Sequence, residues 1–205
     1  MLDLNQATIY SALCAIIPCS IYLIVQKVKK HKIPILPIII FVLYIWQVYD
    51  LTGAGGLSDI LYVPDGAINH SIIKAKINLI PFNTIDRSFF LNILMLIPLG
   101  FLVPFIWKNY RKWNKTMLLG AGFSLMIEIS QLVTTRATDI NDLIANTIGT
   151  LIGYIIWKIF FRDYLKDPIS GKMDVIWYIL LSFLGMFFLY YPFWFYNKIA
   201  PLIFK

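Results

Sequence analysis

The chain has 205 residues, of which 59% are hydrophobic and 14% charged, with a net charge of +7. A mean hydropathy of +0.73 lies outside the soluble range and places it in the membrane class, which excludes a water-soluble globular domain. The positive balance is accounted for by cations flanking the apolar runs, so a nucleic-acid surface is excluded as well.

A helix crossing the hydrocarbon core needs about 20 mostly apolar residues, and six stretches approach that length: 8–26, 33–51, 88–107, 116–133, 139–161 and 175–196. Runs this long and continuous predict helices, because barrel strands would be short and alternating. The expected fold class is therefore an all-α polytopic bundle of about six transmembrane helices. The first run has no basic residue before it and the cluster "KVKKHK" after it, so it reads as an uncleaved span. Cys14 and Cys19 within it sit five residues apart, on different faces of a helix, and neither a disulfide nor a metal site is expected. The second run opens with Pro34 and Pro37 at its first turn, where a missing N–H does no harm. It ends in "WQVYD", with Trp46 and Tyr49 at the level of an interfacial aromatic belt.

Residues 52–87 form the longest connection, and their later part, "IIKAKINLIPFNTIDR", mixes apolar and basic residues as an outer interfacial segment would. In the third run Pro98 and Pro104 each remove an i to i−4 hydrogen bond. Backbone groups freed in this way are tolerated only inside protein or beside a wet cavity. The last run ends in "FFLYYPFWFY", an aromatic stretch suited to packing and interface anchoring.

Assigning loops alternately puts twelve Lys and Arg on one side (positions 27, 29, 30, 32, 108, 111, 112, 115, 158, 162, 166 and 172) and six on the other. The richer side is expected to be cytoplasmic, with both termini outside. His31 and His70 then fall on opposite sides, which argues against a His-based metal site or a Ser-His-Asp triad. The expected division is 1–34 (first span and basic loop), 35–160 (a membrane domain) and 161–205 (cytoplasmic loop and last span).

Polar residues gather where the fourth and fifth runs meet. The connection "TTRAT" is short enough to make these helices an antiparallel hairpin. At 1.5 Å per residue, Glu128 lies about 8 Å inside one run, and Asp142 and Asn146 about 5 and 10 Å inside the other, so they share a level. Ser124, Glu128 and Gln131 fall on one face of the fourth helix. Asp139, Asp142, Asn146, Gly149 and Gly153 form a stripe on the fifth, acidic at its outer end and small further in. Asn92 lies about 6 Å inside the third run, just after "NLIPF", where Asn78, Pro81 and Phe82 sit. Structural duties account for part of this set: Asp139 as a helix cap, the two glycines as a close helix contact, and Glu128 with Arg136 as a buried clamp. The number of ionisable and amide groups at one level, however, points to a functional outward-facing pocket.

The segments "NLIPF", "NILMLIPLG" and "SLMIEISQ", followed by Arg136 and "DINDLIANTIGTLIG", resemble the VanZ-like family, named for a teicoplanin-resistance membrane protein of Gram-positive bacteria. The resemblance covers approximately residues 35–160. Two positions depart from the family pattern: Leu96, where relatives often carry Phe, and Asn141, where relatives carry an extra acid. The second counts against a multi-carboxylate metal site. The resemblance implies a multi-pass protein of the cell membrane with a role in low-level resistance to teicoplanin and lipid-tailed glycopeptides.

Two roles from different classes fit the pocket. In the first, a non-enzymatic protein engages a lipid-linked cell-wall precursor, a lipid, or the acyl tail of a lipoglycopeptide. In the second, an integral-membrane enzyme modifies a lipid-linked envelope glycan, with Glu128 as general acid or base, Asp142 as its partner and Arg136 on a phosphate or carboxylate. Asn78, Pro81, Phe82, Asn92, Ser124, Gln131, Asp139 and Asn146 are the further binding residues expected, with no cofactor and no metal. A transporter, suggested by the two prolines and the polar level, lacks charges on the inner half and ranks last.

Overall fold

The computed structural model describes residues 4–28, 33–61, 72–83, 85–165, 168–169 and 174–191. His31, Pro64, Gly66, His70 and the aromatic run from Pro192 onward lie outside them. In chain order the elements are α1 (Leu4–Val28), α2 (Ile35–Thr52), α3 (Leu57–Leu61), β1 (Lys76–Asn78), α4 (Arg87–Ile106), α5 (Trp113–Gln131), β2 (Ala137–Asp139), α6 (Ile140–Phe160) and α7 (Asp174–Leu189).

Among the described residues four stretches are long and apolar enough to cross a membrane: Ala7–Val28, Ile35–Leu61, Arg87–Ile106 and Ile140–Phe160. α5 has 19 residues, but Lys115, Ser124, Glu128, Ser130 and Gln131 dilute its hydropathy. α7 is apolar beyond its first residue except for Ser182, yet spans 16 residues, short of the roughly 20 that a bilayer core requires. The class is an all-α membrane protein, and the outward faces agree: Ile17, Ile21 and Ile24 of α1, Leu118 of α5 and Ile155 and Ile159 of α6 are exposed hydrocarbon.

α4 and α6 form the tightest pair. A Cβ built at Gly149 would stand 2.1 Å from Ile93 O, one at Gly153 2.0 Å from Ile97 O, and one at Gly100 1.9 Å from Thr150 O. The small stripe of α6 is thus a seam in which two backbones touch, with glycines on both sides of it. α5 closes on the same region, its Gly120 lying against the Thr150 side chain. α1 packs on α7 in the same manner through Gly185, over Cys14 O. Cys14 and Cys19 are buried and unbridged.

α4 runs unbroken through Pro98 and Pro104. Beside Pro98, Tyr44 Oη of α2 donates to Met95 O at 2.8 Å and lies against the Leu99 N–H. A phenol from the neighbouring helix therefore serves the stretch of ladder that the proline disturbs. Tyr49 departs from the expected interfacial anchor: it is sealed in the core, its hydroxyl donating to Ile179 O of α7 at 3.1 Å. A buried phenol needs an acceptor, and α7 supplies one. Trp46 likewise is tied inward, Nε1 to Ser11 Oγ at 3.0 Å.

The long connection carries a feature that hydropathy does not reveal. β1 pairs in parallel with β2, Lys76 opposite Ala137, Ile77 opposite Thr138 and Asn78 opposite Asp139. Lys74 N and Ala75 N also donate to Leu132 O at the end of α5. This stitch holds the segment before α4 onto the hairpin between α5 and α6. Leu79, Ile80 and Phe82 remain exposed just beyond it, as in a segment lying on a membrane surface.

Candidate functional site

The site forms where the ends of α2, α4, α5 and α6 come together. Asp139 starts α6 as its N-cap: Oδ1 accepts from Asn141 N at 2.8 Å, which meets one of the helix's free donors and favours a negative charge at that end. Its other oxygen, Oδ2, accepts from Asn78 Nδ2 at 2.9 Å. The Asp139 N–H donates to Glu128 Oε2 at 3.0 Å, and Thr138 Oγ1 donates to Glu128 O at 3.3 Å. One cap thus links β1, the hairpin turn, α5 and α6.

Below the cap lies a cavity of about 630 Å³. Its walls include Tyr44, Gln47 and Thr52 of α2, Ser88, Asn92 and Pro98 of α4, Glu128 and Gln131 of α5, and Asp142 and Asn146 of α6, with Arg136 at the rim. The Asn92 amide faces the Asp142 carboxyl. Glu128, Gln131 and Asn146 are all at least nine-tenths buried, a costly environment for polar groups unless each finds a partner.

Partners are incomplete. Gln131 Nε2 donates to Thr52 O at 2.8 Å, and because a carbonyl can only accept, this fixes the amide orientation and leaves Oε1 buried without a donor. Asn146 Nδ2 donates to Ser124 Oγ at 2.8 Å, and its Oδ1 is likewise unmatched. Two residues with unmatched carbonyl oxygens and two with carboxyls therefore line one hollow. Its chemistry is that of an acceptor, suited to hydroxyl, amide N–H or ammonium groups.

Arg136 does not form the expected clamp with Glu128. Its Nη1 donates to Leu51 O at 3.2 Å and Thr52 O at 2.8 Å, capping α2 where last-turn carbonyls lack helical partners and the dipole favours a cation. The guanidinium lies over Gly53, where φ of +58° ends the helix in the left-handed conformation and a Cβ would come within 2.6 Å of Arg136 Nε. One guanidinium nitrogen thus serves the backbone of α2 rather than an acid.

The other residues singled out from the sequence divide in two. Asn78 and Asp139 belong to the cap, and Ser124 stands behind the wall with Asn146. Pro81 and Phe82 are exposed on the loop and do not line the cavity. Phe82 has φ of +57°, and its N–H donates to Asn141 Oδ1 at 2.6 Å. Asn141, read above only as a departure from the family pattern, is the residue that anchors this turn. Sequence reasoning also missed α2 as a wall of the cavity, although Gln47, set in "YIWQVYD", was a signal that one face of that helix is not lipid-facing. Among the described residues, no group of three or more His, Cys, Asp and Glu side chains is placed to hold a metal ion.

A family model described as VanZ/LLP1 matches residues 41–161, more than half of the chain and every residue lining the cavity. No curated protein and no solved structure matches it.

Proposed function

The chain belongs to the VanZ/LLP1 family, and on that premise we propose that it is a multi-pass protein of the Gram-positive cell membrane that confers low-level resistance to teicoplanin and lipid-tailed glycopeptides. In this reading it has six spans with both termini outside, and the cavity opens at the outer face. The cavity binds the donor-rich headgroup of an amphiphile, either a lipid-linked cell-wall precursor or the drug itself, and so lowers productive capture of drug at the membrane. The observation that carries the reading is the pair of buried, unmatched carbonyl oxygens on Gln131 and Asn146, two residues that line the cavity together with Glu128 and Asp142. An apolar packing seam has no use for such groups, whereas a ligand bearing hydroxyls or amines satisfies them. Lipid-tailed drugs are the class affected, because each buried CH₂ adds about 0.8 kcal/mol to membrane anchoring. A glycopeptide without a tail, such as vancomycin, is expected to be little changed.

A second reading, an enzyme acting on a lipid-linked envelope glycan, is favoured by one feature: Glu128 and Asp142 share the cavity, as an acid/base pair would. The test expresses variants in a glycopeptide-susceptible Gram-positive host, verifies membrane levels, and measures teicoplanin inhibitory concentrations. Glu128→Gln keeps an acceptor for the Asp139 N–H, so the cap survives while the acid is lost. Binding predicts partial protection from Glu128→Gln and Asp142→Asn, and catalysis predicts none. If both protect fully, the enzyme reading fails. Asn92→Leu fills the hollow with hydrocarbon, and full protection by that variant would remove the binding reading too.

A further inference from the structure

A second cavity, of about 540 Å³, lies at the opposite end of α6 from its Asp139 cap, between that end and the start of α5. Among the described residues four cations line it, Arg111, Lys112, Lys158 and Arg162, and none of the lining residues is acidic. Flanking Lys and Arg are ordinary membrane anchors, so the charge count alone carries little. Two further features belong to the cavity itself. Trp157 lines it, is 2% exposed, and its indole N–H has no hydrogen-bond partner among the described residues. A buried donor left unmatched costs on the order of 1–3 kcal/mol, and an indole N–H can be satisfied only by an acceptor. The start of α5 is the other feature: Lys112 at its N-cap position makes no side-chain cap bond, and Asn114 in its first turn lines the cavity. Lys115 N and Thr116 N turn back to Lys112 O at 3.1 and 3.2 Å, so what this 19-residue helix brings to the space is the positive end of its dipole.

The cationic wall is built rather than loosely flanking. Arg111 is braced by Nε to Pro104 O at 3.4 Å and Nη2 to Leu165 O at 3.3 Å. Its guanidinium stands 5.5 Å from the centre of the Trp157 ring, and its own carbonyl accepts from Tyr154 Oη at 2.9 Å. Among the described residues two of its five N–H donors are engaged, which leaves the rest for an anion. Lys112, Lys158 and Arg162 are exposed around it, and Asp163, next in the chain to Arg162, does not line the space.

We infer that this cavity binds the phosphate headgroup of an anionic membrane lipid. Phosphate supplies acceptors for the guanidinium and for an indole N–H that otherwise has none, with a charge that suits the helix dipole, and basic pockets between helices at the cation-rich face of a membrane protein recognise such headgroups. The cavity lies at the end that the distribution of Lys and Arg assigns to the cytoplasm, apart from the acceptor-rich hollow.

The test uses the full purified chain in neutral detergent. Its melting is followed by tryptophan fluorescence during titration with short-chain phosphatidylglycerol, short-chain phosphatidylcholine or inorganic phosphate, and retained lipid is counted by native mass spectrometry. Phosphatidylglycerol is expected to raise the melting temperature by several degrees and to stay bound. The doubly substituted chain carrying Lys158→Gln and Arg162→Gln, both exposed positions, is expected to lose most of that rise while melting normally without lipid. Lys27→Gln, an exposed cation on α1 at the same expected face, should keep it. Trp157→Phe should weaken binding by removing one donor. If that variant fails to fold, the double variant still decides. An equal rise with phosphatidylcholine or with inorganic phosphate, or an equal loss in Lys27→Gln, overturns the inference.

Discussion

Replacing Gly149 by Ala tests the seam that holds both cavities in place. A Cβ there would stand 2.1 Å from Ile93 O, against about 3.3 Å for the closest favourable approach of carbon to a carbonyl oxygen. The obstacle is backbone in the middle of α4, so no side chain can rotate away. The two helices must separate locally by about 1.2 Å or shear, which also draws Gly153 and Gly100 out of their contacts. Overpacking of this kind costs about 1–3 kcal/mol. Gly122 provides an internal control on α5, because a Cβ built there meets nothing within 4 Å. At that site Ala is expected to be neutral or to stabilise by about 0.5–1 kcal/mol through reduced backbone freedom. The assay is thermal melting of both variants in detergent, alongside the unmodified chain, with tryptophan fluorescence and size-exclusion profile as readouts. Gly149→Ala should melt clearly lower and Gly122→Ala no lower. Equal tolerance at both sites would refute the claim that α4 and α6 touch through their backbones.

Arg136→Ala removes two bonds to the end of α2, but the side chain is exposed, so the loss in melting stability should stay below about 1 kcal/mol, with Arg136→Lys restoring part of it. A much larger loss would mean that Arg136 is paired with a buried acid after all. Asn141→Ala deprives the Phe82 N–H of its acceptor at a left-handed turn, and deuterium exchange over residues 80–83 should accelerate while α6 stays protected. Unchanged exchange would show that the turn is held by something else. Gln131→Met discards the bond to Thr52 O together with the unmatched Oε1, changes that roughly offset each other in stability. Teicoplanin protection should fall while melting holds. A parallel fall in both would make Gln131 a structural residue only.

The helical architecture was legible because burial in lipid writes itself into residue type over long windows. Apolar runs marked α1, α2, α4 and α6, and spaced glycines marked the α6 seam, since only a missing side chain permits backbone contact. What composition could not supply was the identity of the face that Gly149 and Gly153 meet. It is α4 rather than the sequence-adjacent α5 that receives them, because Gly100 offers a complementary gap. The two strands were invisible for a related reason: three residues each, they have no period to detect, and their pairing joins positions about sixty residues apart.

At the site, the residues that sequence could place were those whose cost in a membrane demands an explanation. Asn92, Glu128, Gln131, Arg136, Asp142 and Asn146 all reach the same cavity. What each one does there depends on atoms that carry no residue signature. A clamp to Glu128 was one reading of Arg136, beside a ligand's phosphate or carboxylate, because opposite charges are the visible partners in a sequence, yet it serves the carbonyls of Leu51 and Thr52, groups that every residue possesses and that become available only because α2 ends at Gly53. The Glu128 carboxyl likewise meets a backbone N–H, that of Asp139, rather than a cation. Backbone donors and acceptors at helix ends thus absorb the charges that residue types would pair with each other, while the amides of Gln131 and Asn146 in the cavity wall keep unmatched oxygens. An acceptor-rich hollow therefore follows from where α2 stops and α6 starts, two boundaries that hydropathy locates only to within a few residues.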